Sequence, residues 1–328
     1  MLVAALGLAA TVLALAVNTG HGDYPIGVLD VFGVLAGGGS DAQQFIVLGL
    51  RLPRSLTGAL VGAALAISGA ITQTITRNPL ASPDILGITA GAGAAAVAVI
   101  VLGGSYGAIS GAGLPLAALA GGLLTGVLMY VLAYRRGIEG YRLVLTGIGI
   151  NAVAVSVTSW LLIAAAVTEA GRATVWINGS LNASGWEDVV PVGLALLGVT
   201  PVVLVLVFVL GALQFDDDTA RGLGVRVGGA RTALLLVAVA LASVATAAAG
   251  PIVFVALVAP QLALRLVRAS RPPLLASATL GAALTVTADL IARTVFGATQ
   301  LPVGIVTAVL GAPFLLYLLA RQHRKTRI

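Results

Sequence analysis

The sequence predicts an all-α integral membrane protein with about ten transmembrane helices. Of its 328 residues, 59% are hydrophobic and only 9% are charged, and the mean hydropathy is +1.07. A soluble domain carries about 25% charged residues. Uncharged stretches that could cross a membrane recur along the whole chain. We therefore expect residues 1–328 to form a single transmembrane domain.

The candidate spans follow from the uncharged runs, since a helix needs about 20 apolar residues to cross a bilayer. The runs lie at 1–22, 55–76, 85–134, 143–168, 189–215, 232–264, 272–288 and 294–320. The first, whose helix is expected near 2–17, lacks the basic region of a signal peptide. We expect it to be a retained helix.

Two of these runs are too long for one helix. The segment GGSYGAISGAGLP at 103–115 supplies a turn, which predicts spans near 86–102 and 114–134. The run 232–264 would form a helix of about 50 Å. Gly250-Pro251 is its natural break, because proline removes a backbone donor and clashes with the preceding turn. These divisions give ten spans, of which the seventh and eighth are short.

The charges predict the orientation. Ten spans place both termini on one side, and the tail RQHRKTRI carries four Lys or Arg, so the C-terminus is expected in the cytoplasm. All but four of the 18 Lys and Arg residues then face the cytoplasm. The four outside are Arg51, Arg54, Arg172 and Arg293. The motif RLPRS at 51–55 therefore lies outside, where anionic cytoplasmic lipid cannot explain its arginines.

Composition excludes several function classes. There is no cysteine, and the two histidines, His21 and His323, lie near opposite ends of the chain, so we expect no metal site. The only lysine, Lys325, lies in the tail, so the chain has no phosphate-binding P-loop. If ATP powers this protein, another subunit hydrolyses it. The arginines lie between apolar runs and form no basic stripe, which argues against nucleic-acid binding.

The predicted inner loop at 214–231, QFDDDTARGLGVRVGGAR, is longer than the other inner loops. Asp216, Asp217 or Asp218 can cap a short helix by accepting the free amides of its first turn. Gly222 or Gly224 would end it. Such a helix could bind another protein, or the loop could be an ordinary solvated connector, and its residues alone leave both interpretations open.

Small residues are frequent inside the spans, since the chain has 42 glycines, whereas acidic residues are scarce there. Gly58, Gly62, Ala66 and Ala70 recur every four residues in the second span, which favours close helix packing.

Asp289 is the only acid inside any predicted span, whereas ion-coupled carriers usually need such groups. It stands four residues before Arg293, so the two could neutralise each other. Alternatively, Arg293 joins Arg51 and Arg54 in an exterior basic cluster.

Several motifs together resemble one family. They are RLPRSLTGALVGAALAISGAITQTITRNPLASPDILGITAGAG at 51–93, LTGIGIN at 145–151, TARGLGV at 219–225, GPIVFVALVAPQLALRLV at 250–267, and the segment 288–319. In these motifs the chain is similar to the FecCD family of permease subunits, which serve ATP-binding-cassette (ABC) importers for iron–siderophore complexes, haem and cobalamin. The resemblance implies a type II ABC importer permease fold with ten helices, in the bacterial plasma (inner) membrane.

The same resemblance implies the partners. They are a second permease subunit in a homo- or heterodimer, two separate ATP-binding subunits inside, and an extracellular or periplasmic substrate-binding protein. The chain itself would then be no enzyme and would bind no cofactor, because ATP and magnesium are used by the ATP-binding subunits. Two features depart from the family pattern. Met1 begins inside the first span, and Gln261-Leu262 stand where relatives often have His-Ile or His-Leu.

The resemblance also assigns roles to residues. Arg51, Arg54 and Arg293 match arginines that dock the substrate-binding protein, and we expect Pro53 to hold the first two pointing outward. Asn78, Leu80 and Leu145 match positions around the cytoplasmic gate. The fifth and tenth spans would line the pathway. The positions implied to couple to the ATP-binding subunit are Asp217, Asp218, Ala220, Arg221, Gly222, Leu223, Gly224 and Val225.

The expected cargo is a ferric siderophore, because it is the most frequent cargo of this family. The same machinery carrying cobalamin or haem is the alternative. A self-contained ion-coupled transporter is a more distant one, and a channel-type or structural membrane protein is a third.

Overall fold

Helices are the regular secondary structure of the described residues in the computed structural model, which are 1–22, 24–103, 113–135, 137, 139–182, 184–295 and 300–325. The helices are α1 (Leu2–Gly20), α2 (Val28–Leu35), α3 (Asp41–Gln44), α4 (Leu52–Thr76), α5 (Ile88–Gly103), α6 (Gly113–Ala133), α7 (Gly140–Ala164), α8 (Val167–Ile177), α9 (Trp186–Ala212), α10 (Asp217–Gly222), α11 (Val227–Ala249), α12 (Val255–Val267), α13 (Leu274–Thr294) and α14 (Val303–Lys325).

Ten of these helices match the ten predicted spans. Within the described residues, seven are long and apolar enough to cross a membrane, and α5, α12 and the apolar part of α14 (Val303–Leu318) are shorter apolar helices. The break at Gly250 is confirmed, because α11 ends at Ala249 and Gly250 has φ +68°, which favours glycine. The predicted turn at 103–115 lies mostly outside the described residues.

Helix α4 forms the centre of the bundle and packs against α9, α11, α12 and α13. Small residues permit this packing. A Cβ added at Gly62 of α4 would meet the carbonyl oxygen of Gly281 in α13, and a Cβ at Gly281 would meet the carbonyl of Gly62. Gly69 faces the backbone of Ala256 in α12 in the same way. The predicted close packing of the second span is therefore confirmed.

The second span begins earlier than its uncharged run suggested. The helical path is continuous from α3 through a π-helix, Phe45–Arg51, into α4. Leu52 donates its N–H to the carbonyl of Val47, five residues back, just before Pro53, which has no N–H to donate. The proline therefore sits where the π-helix ends and the α-helix begins.

The bundle has two ends that concern function. Arg51, Arg54 and Arg293 line one cavity where α4 begins and α13 ends, and we call this the arginine end. At the opposite end of α4, Arg77 bonds to Asp217 in the 214–231 loop, and we call this the loop end. Helix α4 therefore connects the two places that the sequence singled out.

Candidate functional site

The three predicted docking arginines lie together. Arg51, Arg54 and Arg293 line a cavity of about 550 Å³ at the arginine end, with Trp186 and Glu187 on another side. Trp186 Nε1 donates to the carbonyl of Leu48 at 3.1 Å, which fixes the start of α9 against the π-helix. Of the two alternatives for Arg293, the structure places it in the basic cluster.

Arg54 forms a bidentate salt bridge with the carboxylate of Asp289. Its Nη2 lies 2.7 Å from Oδ1 and its Nε lies 3.1 Å from Oδ2. The side chain of Asp289 is 1% exposed and that of Arg54 is 13% exposed. A pair so well shielded from water holds α4 and α13 in register at this end, because neither charge is stable there alone.

Asn18 of α1 joins this pair to the third arginine. Its Nδ2 donates to Asp289 Oδ2 at 3.0 Å, and its Oδ1 accepts from Arg293 Nη1 at 3.2 Å. Arg293 also donates to the carbonyl of His21 at 2.8 Å. Asn18 was not among the predicted site residues. Its sequence signal was weak, because Asn18 lies just past the helix expected near 2–17, and only the structure shows its amide to be fully buried.

The expectation that both arginines of RLPRS point outward is wrong for Arg51. Its side chain is buried and donates to the carbonyls of Thr19, Gly20 and Tyr24 at 3.2, 3.1 and 2.7 Å. Thr19 and Gly20 end α1, where helix carbonyls lack partners within the helix. A positive charge there also complements the helix dipole. Arg51 therefore caps the C-terminus of α1, and its guanidinium points into the protein.

At the loop end, the predicted short helix is present as α10. Asp216 is its N-cap, and its carboxylate accepts from the amide of Thr219 at 3.1 Å. The helix ends at Gly222, and Gly224, with φ +82°, turns the chain back. Of the three aspartates that could have capped it, Asp216 is the one that does.

Asp217 ties α10 to the body of the protein. Its carboxylate receives Arg231 Nη1 at 3.0 Å and Nη2 at 2.8 Å, and Arg77 Nη2 at 2.7 Å. Partial burial alone would raise the pKa of Asp217, but the hydrogen bonds and charges of Arg231 and Arg77 outweigh it and lower the pKa. Neither arginine was among the predicted site residues, because the sequence indicates only that both are positive charges on the inner side.

The predicted coupling positions divide into two faces. Ala220 and Val225 are buried in the core, and Asp217 is held by its salt bridges. The other positions are exposed to solvent, and they are Asp218, Arg221, Gly222, Leu223 and Gly224. The helix is thus anchored on one side and accessible on the other.

The predicted gate residues lie on two elements. Asn78 follows α4, and its Oδ1 accepts from the amide of Leu80 at 3.0 Å, which shapes the turn. Leu145 lies near the start of α7 with 57% of its side chain exposed. Beside the turn, Gln261 of α12 donates to Gln73 of α4 at 2.7 Å, so the glutamine that departs from the family pattern has a buried partner.

Comparison with known proteins agrees with this architecture. Residues 9–321 match the model of the FecCD transport family. The chain belongs to the FecCD transport family. It is accordingly a permease subunit of the ABC transporter class, and members of this family are not themselves catalytic.

Individual relatives extend over almost the whole chain. It is 42% identical over 323 residues to the achromobactin transport system permease protein CbrC of Dickeya dadantii, covering 96% of this chain and 90% of the relative. It is also 42% identical over 296 residues to the ferric enterobactin transport system permease protein FepG of Escherichia coli, covering 90% and 88%.

One solved structure has the same fold. It is an ABC transporter of the metal-chelate type in an inward-facing conformation, with a TM-score of 0.84 at 28% identity. The match covers 96% of this chain and 98% of that chain. The ten-helix permease fold is therefore shown for this FecCD protein.

Proposed function

We propose that this chain is the permease through which an ABC importer moves a ferric siderophore into the bacterial cytoplasm by alternating access. The main structural support for an ABC importer is α10. This capped helix is anchored to the bundle through Asp217, and its other face is exposed. The cargo is supported by the 42% identity to relatives whose names specify achromobactin and ferric enterobactin transport. Cobalamin and haem are the alternative cargoes of the same machinery.

In this proposal the loop end faces the cytoplasm and the arginine end faces outward, which the distribution of Lys and Arg supports. The whole chain acts as one transmembrane domain, and its C-terminus is cytoplasmic. A loaded substrate-binding protein docks over the cavity lined by Arg54 and Arg293. Such partly screened charges govern docking geometry and association rate more than total affinity.

The exposed face of α10 contacts an ATP-binding subunit, which uses ATP and magnesium, while this chain binds neither. When that subunit moves, the displacement passes from Asp217 to Arg77 and Arg231. Arg77 ends α4 and precedes the turn around Asn78. Movement of α10 therefore pulls directly on the segment that carries the proposed gate residues Asn78 and Leu80.

Reconstitution tests this proposal. Liposomes that contain the permease dimer, the ATP-binding subunits and the loaded binding protein are expected to accumulate ferric siderophore only when ATP is supplied. Leu223→Asp places a charge at the exposed C-cap of α10 and is expected to release the ATP-binding subunits. Phe215→Asp makes the same change in the same loop outside the helix, and is expected to leave the complex intact.

The outer site is tested in the same liposomes. Arg293→Glu is expected to lower uptake at least tenfold while the basal ATPase persists, whereas Arg172→Glu, an exterior arginine away from the cavity, serves as the matched control. Uptake driven by a proton or sodium gradient without ATP-binding subunits would refute the proposal in favour of a secondary transporter. Uptake of cobalamin or haem in place of ferric siderophore would reassign the cargo alone.

A further inference from the structure

A second cavity lies on the flank of the bundle, and its lining includes no residue of the arginine-end cavity or of α10. It is an apolar groove of about 470 Å³ between α9 and the start of α13. Its walls on α9 run from Leu196 to Val207 and are aliphatic apart from Thr200, and its other wall includes Leu274 and Ala278. No residue of α9 is buried along this stretch and most are exposed, so the groove opens toward the surroundings of the bundle.

The groove ends in a polar cavity. At its loop end it meets a cavity of about 210 Å³ lined by glutamines, a serine and Arg77, and both cavities share Arg271 and Pro272. Nη1 of Arg271 donates to the carbonyl of Val207 at 3.0 Å. Among the described residues Arg271 forms no salt bridge with an acid. Its positive charge is therefore available at the junction of an apolar and a polar compartment.

The dimensions match one leaflet of a bilayer. The α9 wall, 196–207, covers about 16 Å at 1.5 Å per residue, and half of a hydrocarbon core of about 30 Å is about 15 Å. Most of the wall lies in the half of α9 nearest the loop end. An occupant at this depth must be largely hydrocarbon, and the positive charge of Arg271 favours an anionic polar end.

We propose that this groove binds one anionic glycerophospholipid of the cytoplasmic leaflet. Its acyl chain lies along α9, and its phosphate lies against Arg271 with the remainder of the headgroup in the polar cavity. Basic pockets between transmembrane helices on the cytoplasmic side bind such headgroups. The assignment to the cytoplasmic leaflet rests on the orientation in the proposed function. The binding site itself does not depend on which cargo is carried.

Native mass spectrometry of the purified full chain tests the site. The protein is incubated with palmitoyl-oleoyl phosphatidylglycerol or with phosphatidylcholine that has the same acyl chains. The unmodified protein is expected to retain about one phosphatidylglycerol per chain and to prefer it over phosphatidylcholine. Arg271→Gln is expected to reduce that preference about fivefold, and Arg271→Lys, which keeps the charge, is expected to preserve most of it.

Two matched controls separate this site from a general effect. Arg268→Gln removes an exposed arginine three residues away, outside the groove, and is expected to leave the preference unchanged. Ala278→Phe fills the groove and is expected to abolish retention of both lipids. Val205→Phe places the same phenyl group at an exposed position of α9 outside the groove, and is expected to have no effect.

Three results would overturn the proposal. Equal losses in Arg268→Gln and Arg271→Gln would show that a diffuse basic surface attracts the lipid. Unchanged lipid retention in Ala278→Phe would show that no acyl chain occupies the groove. A dimer that persists without lipid and is broken by Ala278→Phe alone would show that a second copy of the chain fills it.

Discussion

Asp289 is the residue whose side chain contributes most to the stability of the arginine end. It is 1% exposed and is the counter-charge of Arg54, which is itself largely shielded. Asp289→Asn leaves that guanidinium without a negative partner, and removal of one partner from a buried pair costs about 3 kcal/mol. We expect a corresponding fall in the free energy of unfolding, measured by denaturant unfolding of the purified protein in detergent.

Adding Arg54→Gln to Asp289→Asn removes the unpaired charge, so the double variant should regain part of the lost stability. This coupling is what a double-mutant cycle measures. An Asp289→Asn protein that unfolds at the same denaturant concentration as the unmodified one would show that the pair contributes nothing.

The salt bridges of Asp217 at the loop end are expected to make a pH-dependent contribution to the stability of the fold. Its pKa is lowered by Arg231 and Arg77 despite partial burial. A depressed carboxyl pKa stabilises the folded state above the unfolded value of about 3.9, and this stabilisation is lost as the pH falls through the folded value. Asp217→Asn should therefore cost about 2 kcal/mol at pH 7, and the difference should shrink below about pH 4.

Melting temperatures of the two proteins across this range provide the measurement. Asp218→Asn is a suitable control, because Asp218 pairs only with Arg221 on the exposed side of the same helix. A gap between unmodified protein and Asp217→Asn that stays constant down to pH 3 would contradict the assignment of the stabilisation to the ionised carboxylate.

The sequence predicted that the three arginines lie at one end of the protein. The position of each span follows from local apolar composition, and the distribution of charges then gives the side of each flanking segment. The roles of the individual arginines could not be read in this way. Arg51 caps α1 and Arg54 pairs with α13, and both contacts join segments that are far apart in sequence. Asn18, Arg77 and Arg231 were missed for the same reason.

At the scale of helices, the crossing of α4 and α13 depends on two glycines whose backbones touch. Gly62→Val would drive a branched side chain into the carbonyl of Gly281, and the backbone cannot move aside without separating the helices. We expect a loss of about 3 kcal/mol, at the upper end of the cost of overpacking a core, measured as the free energy of unfolding in detergent.

Gly198→Val is the matched control. Gly198 lies within α9, and a Cβ added there meets no other atom within 4 Å. Valine at this position should be tolerated or slightly stabilising, since glycine is a poor helix former. If both substitutions destabilise equally, the effect belongs to valine in a helix and not to the crossing.

The transmembrane helices were predictable because lipid requires long apolar runs whose backbone groups are satisfied internally. Of the remaining helices only α10 was predicted, because its capping aspartates are recognisable in the sequence. Helices α2 and α8 are short segments outside the spans, and α2 is held by a small cluster of Ile26, Val31, Val34 and Val47. The early start of the second span depends on the π-helix, and apolar composition does not distinguish its hydrogen-bond pattern from that of an α-helix.

For the whole molecule, two exposed helix faces must be covered by different surroundings. The exposed face of α9 includes Leu194, Leu197, Leu204, Val205 and Phe208, which suit lipid. The exposed face of α7 also carries Ser156 and Ser159. Polar groups at membrane depth tend to face protein or a water-filled cavity. We therefore expect α7 to face the second permease subunit and the pathway, and α9 to face lipid.

Site-directed photocrosslinking in the assembled transporter measures this difference. A photoreactive amino acid at Ser159 is expected to give a product heavier by one permease subunit, whether the partner is a second copy or a related chain. The same probe at Val205 is expected to label lipid alone, because a side chain on the α9 face finds no protein within reach. A permease adduct from Val205 and none from Ser159 would reverse the assignment and place the dimer interface, with its pathway, on the α9 side.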